Sequence, residues 1–115
     1  MSNTKFSNRM QDINTLDELN TYSKSIPSTL IVLYFKAVWC GPCKDIKPFI
    51  SYLQENYPKV TFIEIDIEDE FRDTIVVNFN IKKVPTFIFY KNSEICSSLL
   101  GTNKDNLEAL VNEHL

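Results

Sequence analysis

The fold is decided by the stretch Leu30-Ile31-Val32-Leu33-Tyr34-Phe35, followed after three residues by Trp39-Cys40-Gly41-Pro42-Cys43-Lys44. The first segment is continuously apolar, which predicts a central β-strand covered on both faces. Beyond the second segment, apolar residues recur at the spacing of a helix: Ile46, Phe49, Ile50 and Leu53. The two cysteines are therefore predicted to lie where a buried strand leads into a helix.

Their position makes the two cysteines chemically unequal. Cys40 falls at the predicted helix N-terminus, where unpaired backbone N–H groups and the helix dipole favour a thiolate. Cys43 lies one turn further along the same helical face, close enough to form a disulfide with Cys40. A pair that opens and closes reversibly is a two-electron redox centre, and the sequence places the function there.

Length and charge restrict the class of protein. The chain has 115 residues, of which 43% are hydrophobic, and a formal net charge of −3, which predicts one globular domain with a core. Without a dense basic block, nucleic acid and anionic membranes are poor candidate partners. No apolar stretch approaches the roughly 20 residues that span a bilayer, and residues 1–14 lack the apolar core of a signal peptide. We therefore expect a cytoplasmic protein.

The cysteine content argues against a structural disulfide framework and against a metal site. Three cysteines are too few for such a framework, and disulfides that form in a reducing cytosol are usually transient and catalytic. A zinc site needs about four ligands, and only Cys96 and His114 remain to join the cysteine pair. The sequence therefore predicts no bound metal, and Cys96 is expected to be a small buried apolar residue.

Strands and helices alternate along the rest of the chain. Residues 1–8 are predicted to form a flexible tail, and residues 9–115 one domain that opens with a short edge strand over 9–13. Thr15 and Glu18 have the spacing of a capping box and predict a helix start. Further strands are predicted over 60–67, 86–90 and 95–100, with a short helix near 71–76 and a last helix that carries Leu107, Leu110 and Val111 on one face.

This order of elements predicts an α/β protein. A strand–helix–strand unit with right-handed crossover is followed by an antiparallel hairpin and a helix. The expected architecture is a three-layer α/β/α sandwich, in which four helices flank a central mixed sheet of four to five strands.

Four features together resemble the thioredoxin family. Residues 39–44 match the family's active-site hexapeptide, and Pro48 matches the proline in the helix that follows. Val84-Pro85-Thr86 resembles the family's cis-proline loop, and Gly101 resembles the glycine before its last helix. A lone Cys-x-x-Cys is weak evidence, whereas these features in this order are specific. The resemblance extends over about residues 10–115 and implies the thioredoxin fold.

The resemblance implies a protein-disulfide reductase that works by dithiol–disulfide exchange. Cys40 would be the exposed nucleophile, Cys43 the resolving thiol, and the two would form the redox-active disulfide. The other implied site residues contact the substrate (Trp39, Val84 and Pro85) or support the cysteine pair (Trp39, Gly41, Pro42, Lys44 and Pro85). No dissociable cofactor is implied. Disulfide-containing proteins would be the substrates and a separate reductase the electron donor, for a monomer that serves electron transport and cell redox homeostasis.

The chain departs from the family at Tyr34, where many members have a buried aspartate that takes the proton from the resolving cysteine. A tyrosine with a pKa of about 10 is a poor base at neutral pH, so either resolution is slower or another group or a water accepts the proton. Glu64, on the neighbouring predicted strand, is the candidate acceptor. Tyr34 itself is expected to fill core volume, and Lys36 to be a solvated surface residue.

Three other functions stay open from the sequence alone. A disulfide isomerase or oxidant would differ in reduction potential, although Gly41-Pro42 between the cysteines resembles the reducing branch of the superfamily. A binding subunit that retains the cysteines incidentally would keep its activity after both are replaced. A zinc-binding module would carry stoichiometric metal.

Overall fold

The computed structural model describes residues 13–115. Helices α1 to α4 span Leu16–Ser25, Gly41–Asn56, Asp73–Asn78 and Lys104–His114, and strands β1 to β4 span Ile31–Lys36, Thr61–Asp66, Thr86–Lys91 and Glu94–Leu100. A 3₁₀ turn at Glu70–Arg72 precedes α3. Each of these strands begins and ends within one residue of its predicted bounds. The predicted tail over 1–8 lies outside the described residues, as does the predicted edge strand over 9–13 except for the buried Ile13.

The four strands form one mixed sheet in the order β2-β1-β3-β4. β1 and β2 are parallel, with α2 as the crossover between them, and β3 is antiparallel to both β1 and β4. Because β1 and β2 are parallel, their carboxyl ends meet at one edge of the sheet. The loop that leads to Cys40 and the start of α2 leaves β1 at this edge.

Alternate residues of the strands pack on opposite faces of the sheet, which gives two separate cores. One core joins Val32, Tyr34, Phe87 and Phe89 of the strands to Ile46 and Leu53 of α2 and to Leu107 and Val111 of α4. The other joins Ile31, Leu33 and Phe35 to Leu19 of α1 and Ile75 of α3. Helices therefore cover both faces, and the predicted three-layer sandwich is confirmed.

Two local predictions are confirmed at the level of hydrogen bonds. The Glu18 backbone N–H donates to Thr15 Oγ1 and the Thr15 backbone N–H donates to Glu18 Oε1, each at 3.1 Å, so the capping box is complete at the start of α1. The β3–β4 hairpin turns at Asn92 and Ser93, which have φ values of 53° and 65°. Two consecutive left-handed residues are typical of the tight turn whose twist matches that of the flanking strands.

The predicted burial of Cys96 is wrong. Cys96 is free and exposed. The β3–β4 register passes from Tyr90 opposite Ile95 to Phe89 opposite Ser97, so Cys96 is the extra residue of a β-bulge and has no partner on β3. Phe71 is 75% exposed, because the chain enters α3 through a 3₁₀ turn that directs only the later residues, such as Ile75, into the core.

Candidate active site

Cys40 and Cys43 form a disulfide at the N-terminus of α2, with their Cα atoms 5.3 Å apart. Cys40 is the N-cap residue, and its Sγ accepts a hydrogen bond from the Cys43 backbone N–H at 3.2 Å. The same N–H and the helix dipole stabilise negative charge on Cys40 Sγ when the disulfide opens. The two cysteines therefore lie where the sequence predicts, with the N-terminal one better placed to be a thiolate.

Neither cysteine is open to solvent in the disulfide form. Cys40 is 4% exposed and Cys43 is 2% exposed, and both belong to the core cluster between the sheet and α2. The expectation of an exposed Cys40 is therefore wrong for the disulfide form. The chain turns between Ala37 and Cys40, where the Cys40 backbone N–H donates to Ala37 O at 3.1 Å, and this turn directs the Cys40 side chain into the core cluster.

Trp39, the residue before Cys40, is 63% exposed. Its indole Nε1–H donates to Glu68 Oε2 at 2.9 Å, which holds the ring on the surface. Glu68 is not among the site residues that the sequence predicts. The parallel pairing of β1 and β2 is the signal that could have found it, because residues just beyond the two strand ends lie at the same edge of the sheet.

The loop before β3 has the conformation that the family resemblance implies. The Val84–Pro85 peptide bond is cis, and Val84 packs against the core cluster that contains both cysteines. Gly101, which follows β4, donates its backbone N–H to Pro85 O at 2.9 Å and has a φ of 106°. This left-handed conformation favours glycine, so Gly101 can make the hydrogen bond to the Pro85 loop at a position where a residue with a side chain would be strained.

Tyr34 fills core volume and fixes the backbone of the second cysteine. Its hydroxyl donates to Cys43 O at 2.6 Å, and its ring stacks on Phe87 with the centroids 5.2 Å apart. Burial, and secondarily the negative charge of Glu64, raise the pKa of Tyr34 to about 12. The hydroxyl is therefore a hydrogen-bond donor at neutral pH and cannot take a proton from Cys43.

Glu64 lies opposite Tyr34 on β2 and binds two lysines. Lys47 of α2 donates to both carboxylate oxygens at 2.9 and 3.1 Å, and the ammonium of Lys36 lies 3.3 Å from Oε2. The expectation that Lys36 is simply solvated is wrong, because its side chain is only 25% exposed and is held by this ion pair. Glu64, Cys43 and Tyr34 line one open cleft.

Within residues 13–115, no group of three or more histidine, cysteine or acidic side chains is placed to hold a metal ion. No helix in that range has both the length and the apolar character that crossing a membrane requires.

The raised pKa of Tyr34 predicts a loss of stability in alkali. The folded chain keeps the phenolic proton up to about pH 12, whereas the unfolded chain loses it near its ordinary pKa of about 10. The free energy of unfolding therefore falls as the pH rises from about 10 to 12, by roughly 2–3 kcal/mol from this group. Urea denaturation of the wild type and Tyr34→Phe across this range measures the effect.

Tyr34→Phe keeps the ring stack and should be less stable by about 1 kcal/mol near pH 8, where it lacks only the bond to Cys43 O. Its stability should then exceed that of the wild type above about pH 11, because it has no phenolic proton to lose. If the free energies of unfolding of the two proteins changed in parallel with pH, the raised pKa of Tyr34 would be contradicted.

A dithiol that closes to a disulfide gives two electrons to its partner, so this site, on an α/β scaffold, defines a thiol–disulfide oxidoreductase.

Known proteins are similar to the chain over almost its whole length. The family model described as Thioredoxin matches residues 12–113. The thioredoxin of Ophiophagus hannah is 41% identical over 103 residues, which cover 90% of this chain and 96% of that protein.

Other relatives agree. The thioredoxin of Ovis aries is 44% identical over 84 residues, covering 73% of this chain and 78% of that protein. Among solved structures, Fasciola hepatica thioredoxin is similar with a TM-score of 0.81 and 27% sequence identity, covering 89% of this chain and 96% of that one. The chain belongs to the thioredoxin family, and its activity is that of a protein-disulfide oxidoreductase.

Proposed function

We propose that Cys40 attacks a disulfide in a protein substrate and that Cys43 resolves the product. The Cys40 thiolate forms a bond to one substrate sulfur and displaces the other as a thiolate. Cys43 then loses its proton, attacks Cys40 Sγ and displaces the second substrate sulfur. Two electrons pass to the substrate, and the protein is left with the Cys40–Cys43 disulfide. The observation that carries this order is the N-cap position of Cys40, with the Cys43 N–H directed at its sulfur.

The substrate would lie across the surface formed by Trp39, Val84 and Pro85. Trp39 offers an exposed aromatic face held by Glu68. Val84 is only partly buried, and its backbone could pair with an extended substrate segment as an added strand does.

The segment between and after the cysteines would support their exchange rather than take part in it. Pro42 lies in the first turn of α2, where its missing N–H costs no helical bond. Gly41, the first residue of that helix, has open space where a side chain would stand, so a substrate backbone could approach. Lys44 follows Cys43 on the same helix and lines the cleft beside it.

Glu64 is the proposed acceptor of the Cys43 proton, through the cleft that both residues line. If it acts so, Glu64→Gln should slow the resolution of the mixed disulfide by about tenfold or more. If the carboxylate only neutralises Lys36 and Lys47, its loss should instead leave positive charge near the sulfurs and speed resolution. Single-turnover kinetics of substrate release gives the sign of the effect, and Glu55→Gln, an exposed change of the same charge on α2, is the matched control.

The proposed setting is the cytoplasm, where a separate reductase returns electrons to the disulfide and the protein needs no dissociable cofactor. The protein would act there as a monomer in electron transport and redox homeostasis. The scarcity of cysteines supports a reducing compartment, since disulfides that form there are usually transient.

Reduction of insulin by dithiothreitol, followed by the precipitation of its B chain, tests the proposed function. We expect the protein to accelerate precipitation in catalytic amounts. Its reduction potential, measured against glutathione, should lie below the roughly −180 mV of disulfide isomerases. No acceleration, or a potential above that value, would contradict the proposed reductase.

A further inference from the structure

The cleft beside the disulfide carries an excess of positive charge. It has a volume of about 230 Å³ and is lined by Cys43 and Val38, among other residues. Its charged residues are three lysines and one glutamate: Lys36, Lys44, Lys47 and Glu64. The cleft therefore has two positive charges more than negative ones, although the chain as a whole has a net charge of −3.

The ammonium groups of this cleft are only partly neutralised. Glu64 binds Lys36 and Lys47 together, so one carboxylate serves two cations. The ammonium of Lys44 makes no ion pair or hydrogen bond within residues 13–115. Two nearby carboxylates lie outside the lining of the cleft: Asp66 accepts the Glu68 backbone N–H at 2.9 Å, and Glu68 accepts the indole of Trp39. The cleft thus retains donors for a further carboxylate.

The cleft lies next to the disulfide that takes part in the reaction. Cys43 is both a wall of the cleft and the partner of Cys40, whose Cα lies 5.3 Å away. An extended peptide advances about 3.3 Å per residue, so a side chain one to three positions from a cysteine at Cys40 would reach the cleft. Val38, which is 59% exposed, lines the cleft and lies two residues before Cys40 in the chain.

We infer that this cleft selects substrates in which an acidic residue lies within about three positions of the disulfide cysteine that Cys40 attacks. The inference rests on the proposed function and adds the class of substrate. The carboxylate of the substrate binds the lysine ammonium groups, chiefly that of Lys44. Charges at the rim of a binding surface act mainly on the rate of association, so the preference lies in kcat/KM and weakens with salt.

Two disulfide-bridged peptides test this inference. They differ only in the residues that flank one cysteine, which are glutamates in the acidic peptide and lysines in the basic peptide. At low ionic strength the wild type should reduce the acidic peptide with a kcat/KM about fivefold higher, a size that fits a few exposed charge pairs. The ratio should approach one at about 0.5 M NaCl, where the Debye length is only a few ångströms. Fluorescence of Trp39, the only tryptophan, follows the reaction beside Cys40.

Charge-removing variants locate the effect. Lys44→Gln should lower the acidic-to-basic ratio by at least about half, because Lys44 has no ion-pair partner among residues 13–115 to complicate the change. Lys59→Gln is the matched control, because it changes the net charge by the same amount. Lys59 follows the opposite end of α2, about 20 Å from Lys44 at 1.5 Å per residue, so this change should leave the ratio unaltered.

The outcomes separate the inference from the function on which it rests. Equal reduction of both peptides, or an equal effect of the two variants, would overturn the acidic preference and leave the reductase activity standing. Failure to reduce either peptide, under conditions where dithiothreitol does so, would overturn the proposed function and the preference with it.

Discussion

Cys43→Ser should form a stable mixed disulfide with a substrate, whereas Cys40→Ser should form none. Cys40 is the N-cap residue of α2, and its Sγ accepts a hydrogen bond from the backbone N–H of residue 43. This backbone donor is kept in Cys43→Ser, so the Cys40 thiolate is still stabilised in that variant. Cys43 lies inside the first helical turn, where its sulfur has no such backbone donor among residues 13–115 to stabilise a thiolate, so it should not attack the substrate. The cysteine that remains therefore decides whether a covalent complex appears.

Turnover should fall to the dithiothreitol background in both variants, for different reasons. Cys40→Ser removes the first attack. Cys43→Ser removes an intramolecular attack, and well-oriented intramolecular reactions reach effective molarities of about 10⁵ M or more, so millimolar dithiothreitol cannot replace it. Mass spectrometry of each variant mixed with a disulfide peptide measures the adduct.

A Cys96→Ser background is required for this experiment, because Cys96 is free and exposed and can form adducts of its own. Cys96→Ser alone should reduce insulin at the wild-type rate. Adduct formation by Cys40→Ser as fast as by Cys43→Ser would show that the proposed order of attack is wrong.

The sequence predicts well those features that depend on local pattern. The apolar run of β1 and the helical spacing after Cys40 fix a strand and a helix, and the capping box marks the start of α1, since each depends on residues close together in the chain. The family resemblance then supplies the cis bond before Pro85, which no local pattern of this chain requires.

Features that depend on the meeting of distant elements are not predicted. Lys47 reaches Glu64, and Trp39 reaches Glu68, only after α2 and the loop are placed against β2 by the parallel pairing of the strands. The exposure of Cys96 depends on a bulge in the β3–β4 register, which the strand pattern does not encode. The cleft and its charge therefore emerge only from the assembled fold.

Phe87→Ala should destabilise the protein more than any change near the surface. Phe87 is fully buried, pairs with Tyr34 across the β1–β3 ladder and stacks on its ring. Replacing a buried phenylalanine with alanine costs about 3–5 kcal/mol, since the lost contacts leave a cavity. A domain of this size should then melt roughly 12–25 °C lower, which thermal unfolding followed by circular dichroism measures.

Phe71→Ala is the matched control, because the same side chain is removed where it is 75% exposed. Its free energy of unfolding should stay within about 0.5 kcal/mol of the wild type. The Phe87 cavity also loosens Tyr34, whose hydroxyl holds Cys43 O, so the effect should extend to the redox site. At a temperature where both variants remain folded, Phe87→Ala should resolve the mixed disulfide more slowly and Phe71→Ala at the wild-type rate. Equal losses of stability in the two variants would contradict a core in which Phe87 supports the cysteine helix.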